Sequence, residues 1–321
     1  MISVVIPLYN KAQTIERTVK SVLVQTFKDF ELIIINDGST DDGVNILLKS
    51  FKDPRIRIIN QQNLGVSVAR NTGVYNAQFE YVAFLDGDDE WLPDYLRTIV
   101  KVIALYPNAG MICCAGFIVN ADGSKILRLA KKYQGQILEI NYFESPGVFS
   151  HTSANVVSKH EFLGAGGFPI GMKIRQDFAL FISIALKASV VYCGIPLSIY
   201  NGGVDGQTTS ASVEKQFNLL KHFTDCFNYT FERWLNTGCT NKVFLINFKY
   251  ELRHYFKIYL MRDDYRSITY LVQHLKAGKS FNSVEFSFYE RKSLKYLAFL
   301  FILITKARWR LRGYPRFGEK L

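Results

Sequence analysis

Three carboxylates fall within four residues at Asp86-Gly87-Asp88-Asp89, directly after the apolar run Tyr81 to Leu85. Like charges this close raise one another's pKa, and a hard cation with oxygen ligands relieves the repulsion. Mg2+ or Mn2+ bridging a diphosphate suits such a run, because these ions are held by one or two carboxylates together with phosphate oxygens and water. The same residues also read as a solvated acidic turn whose Asp89 or Glu90 favours the N-terminus of a following helix. Taken alone, they leave both readings open.

The elements around this run decide what else lies near it. Ser3 to Pro7, Glu31 to Ile35, Arg55 to Ile59, Tyr81 to Leu85 and Met111 to Val119 are short runs of strand character. Between them lie segments with helical periodicity: Ile15, Val19, Val22 and Leu23; Val44, Leu47, Leu48 and Phe51; Val66 to Ala77; and, opened by Pro93, Leu96, Ile99, Val100 and Ile103. Strands alternating with helices at this spacing predict right-handed crossovers and a parallel sheet covered on both faces. Ligands of such sheets bind at the carboxyl ends of the strands. Pro7 to Lys11, Asn36 to Asp42 and Asp86 to Glu90 should therefore converge on one cleft.

Beyond residue 120 the pattern loosens. Ser150 to Val157 is compatible with a strand, Leu163 to Gly171 with a glycine-rich loop and Asp177 to Leu186 with a helix; after Gly206 the periodicity is helical throughout. Charge divides at the same place. Residues 1–205 hold 19 Lys+Arg and 19 Asp+Glu, whereas 206–321 hold 20 and 9, so the net +11 lies entirely in the last third. The organisation predicted is an α/β domain over 1–205 and a basic helical region over 206–321.

The start of the chain has no basic segment ahead of its apolar residues and no cleavage pattern, so a cytoplasmic location is expected. Five cysteines without metal-ligand spacing read as buried or free thiols. The aromatics of the basic third fall at helical core spacing with no recognition motif, which argues against nucleic acid as a partner. Its segment Tyr296 to Ile304 is apolar and far short of the roughly 20 residues of a spanning helix. Arg291, Lys292 and Lys295 precede it; Lys306, Arg308, Trp309, Arg310 and Arg312 follow. That combination suits peripheral attachment to the inner face of a membrane, with a buried C-terminal helix as the alternative.

Several motifs occur in order: Val4-Val5-Ile6-Pro7-Leu8-Tyr9-Asn10; Gln25-Thr26-Phe27; Asn36-Asp37-Gly38-Ser39-Thr40-Asp41 after its strand; Asn63 to Gly73 with Ala69-Arg70-Asn71; and Phe84-Leu85-Asp86-Gly87-Asp88-Asp89. In this the chain resembles family 2 of the inverting glycosyltransferases over about residues 1–200. The resemblance implies a GT-A fold and transfer of a sugar from a nucleotide-sugar, usually of UDP, to a hydroxyl of a saccharide or lipid-linked saccharide acceptor in cell-surface polysaccharide or glycan assembly. It places Pro7, Tyr9 and Asn10 in the nucleotide pocket, Asp37 against the base, Arg70 toward the phosphates or holding the acidic loop in place, and Asp86 near the ribose or sugar. Asp88 would hold Mn2+ or Mg2+ on the diphosphate, with Asp89 as a supporting candidate.

Displacement at an anomeric carbon needs a general base for the acceptor hydroxyl. The family carries it on an aspartate after a Gly-Gly-Phe segment, which matches Gly166-Gly167-Phe168 followed by Gln176-Asp177 and assigns the role to Asp177. His151 and Gln176 are further candidates on the acceptor side. The chain departs from the pattern at Asn36, where relatives have Asp, and at Gln176, where they have Glu. The Gln-x-x-Arg-Trp signature of processive synthases is absent, Thr230 standing ahead of Arg233-Trp234, so transfer of a single sugar is expected. An aspartate-dependent phosphohydrolase and a non-catalytic sugar-nucleotide binder are the alternatives.

Overall fold

Ile2, Val4, Val5, Ile6 and Leu8 are all fully buried, as befits a strand covered on both faces. In the computed structural model, which describes residues 1–145, 151–202, 213–279 and 283–311, they form β1 (Ile2–Leu8). There follow α1 (Ile15–Leu23), β2 (Phe30–Asp37), α2 (Gly43–Ser50), β3 (Ile56–Gln61), α3 (Val66–Tyr75), β4 (Tyr81–Phe84), β5 (Glu90–Trp91), α4 (Tyr95–Leu105) and β6 (Ala109–Val119). Next come β7 (Lys125–Arg128), β8 (Ile137–Ile140), β9 (Asn155–Ser158), α5 (Lys159–Gly164), α6 (Gln176–Ala185) and β10 (Ser189–Asn201). The rest is helical: α7 (Val213–Asn236), α8 (Lys242–Met261), α9 (Tyr265–His274), α10 (Ser283–Glu290) and α11 (Lys295–Leu311).

The strands form one sheet in the order β3-β2-β1-β4-β9-β6-β10-β5, with β7 beside β6 and β8 beside β10. Its three longest pairings, β1 with β2, β2 with β3 and β6 with β10, are parallel. From β1 the chain builds outward to β2 and β3, then returns to place β4 on the other side of β1. That reversal is a topological switch point, where a crevice opens beyond the carboxyl ends of β1 and β4. Two apolar clusters cover the two faces of the sheet, one beneath α1 and α4 and one beneath α3, α5 and α6. Close packing requires glycine at position 73, because a Cβ there would stand 2.3 Å from Val5 Cγ1.

The structure departs from the sequence reading at three places. Pro93 precedes the cap residue Asp94 of α4, and its carbonyl accepts from Thr26 N at 2.9 Å instead of lying in the first helical turn. Of the strand expected over 150–157, Ser150 lies outside the described residues and Thr152–Ala154 forms a 3-10 turn, closed by bonds from Ala154 N and Asn155 Nδ2 to the carbonyl of His151. The long strand β10 has no counterpart in that reading. Gly194 and Pro196 interrupt its pattern, and the register with β6 shifts around them, so the segment lacks strict alternation.

The domain boundary expected at 205/206 lies outside the described residues; β10 ends at Asn201 and α7 begins at Val213. The helices share a third apolar cluster that includes Phe143 and Leu186 and draws in Ile182 and Ala185 of α6. All five cysteines are free thiols. Trp309's side chain and Arg312 lie outside what the structure describes.

Candidate active site

A cleft of about 830 Å³ opens at the switch point. Pro7, Tyr9, Asn10, Asp37, Arg70, Asp86 and Asp88 line it, as do His151, Gln176 and Asp177. The fold thus gathers ten of the eleven site residues named from sequence.

The β2 loop supplies one end of it. Gly38 adopts φ +71°, and a Cβ there would stand 2.8 Å from Asn63 N, so the Asn36-Asp37-Gly38-Ser39 turn needs glycine to lie against the loop before α3. Asp37 fastens the two together. Its Oδ1 accepts from Gln61 Nε2 at 2.7 Å and Leu64 N at 3.0 Å, and Oδ2 accepts from Gly65 N at 2.9 Å. A carboxylate has about four acceptor sites, so capacity for one further donor remains. Asn10, at φ 50°, bridges to the same turn: its N–H donates to Ser39 Oγ at 3.2 Å and its Oδ1 accepts from Thr40 N at 2.8 Å.

Arg70, on α3, is 4% exposed and donates through Nη2 to Asp86 Oδ1. Its Nε and Nη1 are buried and have no hydrogen-bond partner among the described residues. Buried donors without acceptors are costly; Nε and Nη1 diverge from one another, and Nη2, which belongs to both forks of the guanidinium, is held by Asp86, so each remaining N–H can take a separate oxygen acceptor. These two N–H groups therefore suit an anionic group of a ligand.

Within the acidic loop the three aspartates have three different environments. Asp86 pairs with Arg70. Asp88 Oδ2 accepts from Lys11 Nζ at 2.7 Å. Asp89 faces inward: fully buried, it accepts from Ser153 Oγ and, at 3.1 Å, from Asn201 N. Burial, reinforced by the charges of Asp86 and Asp88, raises its pKa well above the usual carboxylate range. It is absent from the cleft lining, and its bonds tie the acidic loop to Ser153 and Asn201. Among the described residues no three His, Cys, Asp or Glu side chains form a complete metal cage. A cation here would take Asp88 from the protein and its other ligands from diphosphate and water, the ligand set that suits Mg2+.

At the α6 end of the cleft, Asp177 Oδ2 accepts from Thr152 Oγ1 at 3.1 Å, and Oδ1 accepts from Phe178 N at 2.8 Å. Its helix is capped by Arg175 without a side-chain bond, so Asp177 is not the cap residue. Gln176 Oε1 is buried without a partner among the described residues, a vacancy that a ligand hydroxyl or amide would fill. His151 packs against Tyr200, ring centroids 5.6 Å apart. Burial lowers its pKa to about 4, with Asp86 opposing and Arg128 adding to the shift, so the ring is neutral at pH 7.

Sequence reasoning placed Lys11 in the cleft without its pairing to Asp88, and missed Thr152, Ser153 and Asn201. Asn201, at the end of β10, donates its side chain to Asp88 O at 2.8 Å and Glu90 Oε1 at 3.2 Å, and so clamps the acidic loop. Ser153 and Asn201 carried no local signal.

A mostly parallel sheet with an acidic loop at the carboxyl end of a central strand defines a GT-A-type α/β protein. Residues 3–161 match the profile described as Glycosyl transferase family 2, and through this region the chain belongs to that family. An uncharacterised glycosyltransferase of Rickettsia conorii is 45% identical over 221 residues, 68% of this chain and 34% of that protein. The glycosyltransferase GlyA of Streptococcus pneumoniae is 42% identical over 106 residues, 33% of this chain and 15% of that protein. The chain thus spans about a third or less of the length of these relatives. Residues 1–349 of S. aureus TarS, solved in complex with UDP-GlcNAc, share the fold with a TM-score of 0.62 at 15% identity, covering 98% of this chain and 92% of that one.

Proposed function

We propose that this chain is an inverting glycosyltransferase that transfers one sugar from a nucleoside diphosphate sugar, of the UDP type, to an acceptor hydroxyl. The observation that carries the reading is the meeting, in one cleft, of Arg70 with its two unpartnered buried donors, the Asp86–Asp88 loop, and Asp177 from a separate helix. Family membership and the UDP-GlcNAc complex of TarS support it.

The remaining acceptor capacity of Asp37 suits a base N–H, while Tyr9 and Pro7 line the same end of the site. Arg70 turns its free N–H groups to the diphosphate and stabilises the negative charge that develops as the bond to the anomeric carbon breaks. Asp177 takes the proton of the acceptor hydroxyl as its oxygen forms the new bond, and the nucleoside diphosphate leaves from the opposite side. Thr152 holds one oxygen of the Asp177 carboxylate, and among the described residues the second is bonded only to the backbone N–H of Phe178. Mg2+ or Mn2+ bound at Asp88 would neutralise the leaving diphosphate. Thermal-shift screening of nucleotide sugars with and without Mn2+ tests this reading. Stabilisation by UDP-sugars that grows with Mn2+ is expected, and no response to any nucleotide sugar would overturn it.

The acceptor belongs, on this reading, to cell-surface glycan assembly at the inner face of a membrane. Among the described residues no helix is long and apolar enough to cross a membrane. On α11, however, Tyr296, Leu300 and Ile304 stand four residues apart and are 86%, 53% and 46% exposed, while Ala298 and Ile302 are buried in the helical core. Lys295, Lys306, Arg308 and Arg310 flank this apolar stripe, with no acidic residue between 291 and 311. A helix of this kind lies in the interface of an anionic bilayer.

A further inference from the structure

Arg175 immediately precedes α6 and has a left-handed backbone, φ 65° and ψ 18°. L residues with long side chains rarely adopt this conformation, and it persists where the surroundings over-determine it. Those surroundings come largely from the helical region. Arg175 Nη2 donates to Glu251 Oε1 of α8 at 2.7 Å, and both side chains are mostly buried. The guanidinium lies 4.6 Å from the ring centroid of Phe178, 4.8 Å from that of Phe223 and 5.9 Å from that of Phe227, the last two on α7. The main chain is held as well: Arg175 O accepts from Ala179 N at 3.0 Å, the first bond of α6, and from Cys226 Sγ of α7 at 3.7 Å. Two residues further on, Asp177 meets Thr152 and lines the cleft.

A side chain in the first turn of a helix is aimed by the dihedrals of the residue ahead of it. We propose that Arg175, locked by Glu251 and the α7 aromatics, is a positioning residue that aims the Asp177 carboxylate, so that the helical region is part of the catalytic apparatus and not an appendage. The proposal rests on the reading of Asp177 as the base. A planar fork stacked on rings and bonded to one carboxylate fixes both position and orientation, which a lysine ammonium does not. Displacement of a reacting group by about 1 Å costs on the order of a hundredfold in rate.

The test is steady-state UDP release from UDP-glucose, UDP-galactose and UDP-N-acetylglucosamine with Mn2+, comparing wild type, Arg175→Lys, Glu251→Gln and each change combined with Asp177→Asn. Glu251→Gln keeps shape and lies outside the cleft, so it serves if Arg175→Lys does not fold. A fall in kcat of about tenfold or more, with KM for the donor unchanged and no further fall in the Asp177→Asn background, is expected. Wild-type kcat in Glu251→Gln, or the same proportional loss with and without Asp177, would overturn the proposal. Should none of the three donors be turned over, the crystal structure of Glu251→Gln decides: loss of the Thr152–Asp177 hydrogen bond supports the coupling, and an unmoved carboxylate refutes it. Wild-type turnover in Asp177→Asn alone marks the base assignment, rather than the coupling, as the error.

Discussion

Lys11 Nζ lies 2.7 Å from Asp88 Oδ2, so a lysine cation stands at the carboxylate assigned to the metal. Binding of Mn2+ at Asp88 must replace or rearrange this pair.

Asp88→Ala should therefore abolish the Mn2+-dependent part of UDP affinity while leaving the thermal midpoint near that of wild type. Isothermal titration with UDP at saturating and zero Mn2+ measures it. Equal enhancement by Mn2+ in both proteins removes Asp88 from the metal site.

Asp177→Asn keeps the shape of the side chain and its bond from Phe178 N but cannot accept a proton. Turnover should fall by roughly 10² or more with little change in donor affinity. Loss of donor affinity at unchanged turnover would assign Asp177 to the nucleotide pocket.

Arg70→Lys retains a charge but not the planar array of N–H donors. If Nε and Nη1 bind the diphosphate, affinity for UDP should fall by tenfold or more, while affinity for uridine stays constant, on the order of 1.5 kcal/mol or more for a charge-assisted contact. Parallel losses for UDP and uridine would place Arg70 in the loop scaffold alone.

His151 links stability to pH. Its folded pKa of about 4 lies below the ordinary value of 6.5 because burial disfavours the imidazolium. The unfolded chain then binds the extra proton first, so the stabilisation is complete above about pH 6.5 and is lost as pH falls toward 4, on the order of 3 kcal/mol in all. Chemical denaturation of wild type and His151→Gln from pH 7 to 4.5 should show a steeper loss in wild type. Identical slopes would mean that the ring titrates normally.

Membrane attachment is best tested on the exposed stripe of α11, since truncating the helix would strip Ala298 and Ile302 from the core. Wild type should sediment with anionic vesicles at low salt and less at high salt. Leu300→Ser with Ile304→Ser should stay in the supernatant with its thermal midpoint retained. Sedimentation of the double variant equal to wild type would assign the stripe another role.

Much of the half of the cleft built by β1, β2 and β4 was legible in the sequence, and the reason is local. Each β-α unit carries its strand, its turn residues and its helix within about thirty residues, and right-handed crossovers send every strand's carboxyl end to the same edge. Pro7 to Lys11, Asp37 and Asp86 to Asp88 therefore had to meet once the alternation was recognised. What the alternation does not contain is the partner of each side chain. Lys11 and Asp88 are 77 residues apart, Asp89 and Asn201 112, and Arg175 and Glu251 76. No periodicity relates such pairs; they meet because the sheet order brings β4 beside β1 and β5 beside β10, and because α7 packs on α6 while Glu251 of α8 reaches Arg175. The inward turn of Asp89 was decided in the same way. Three adjacent aspartates are alike as letters, and only the tertiary structure, by burying one carboxylate against Ser153 and Asn201 while leaving Asp86 and Asp88 in the cleft, distinguishes the scaffold from the site.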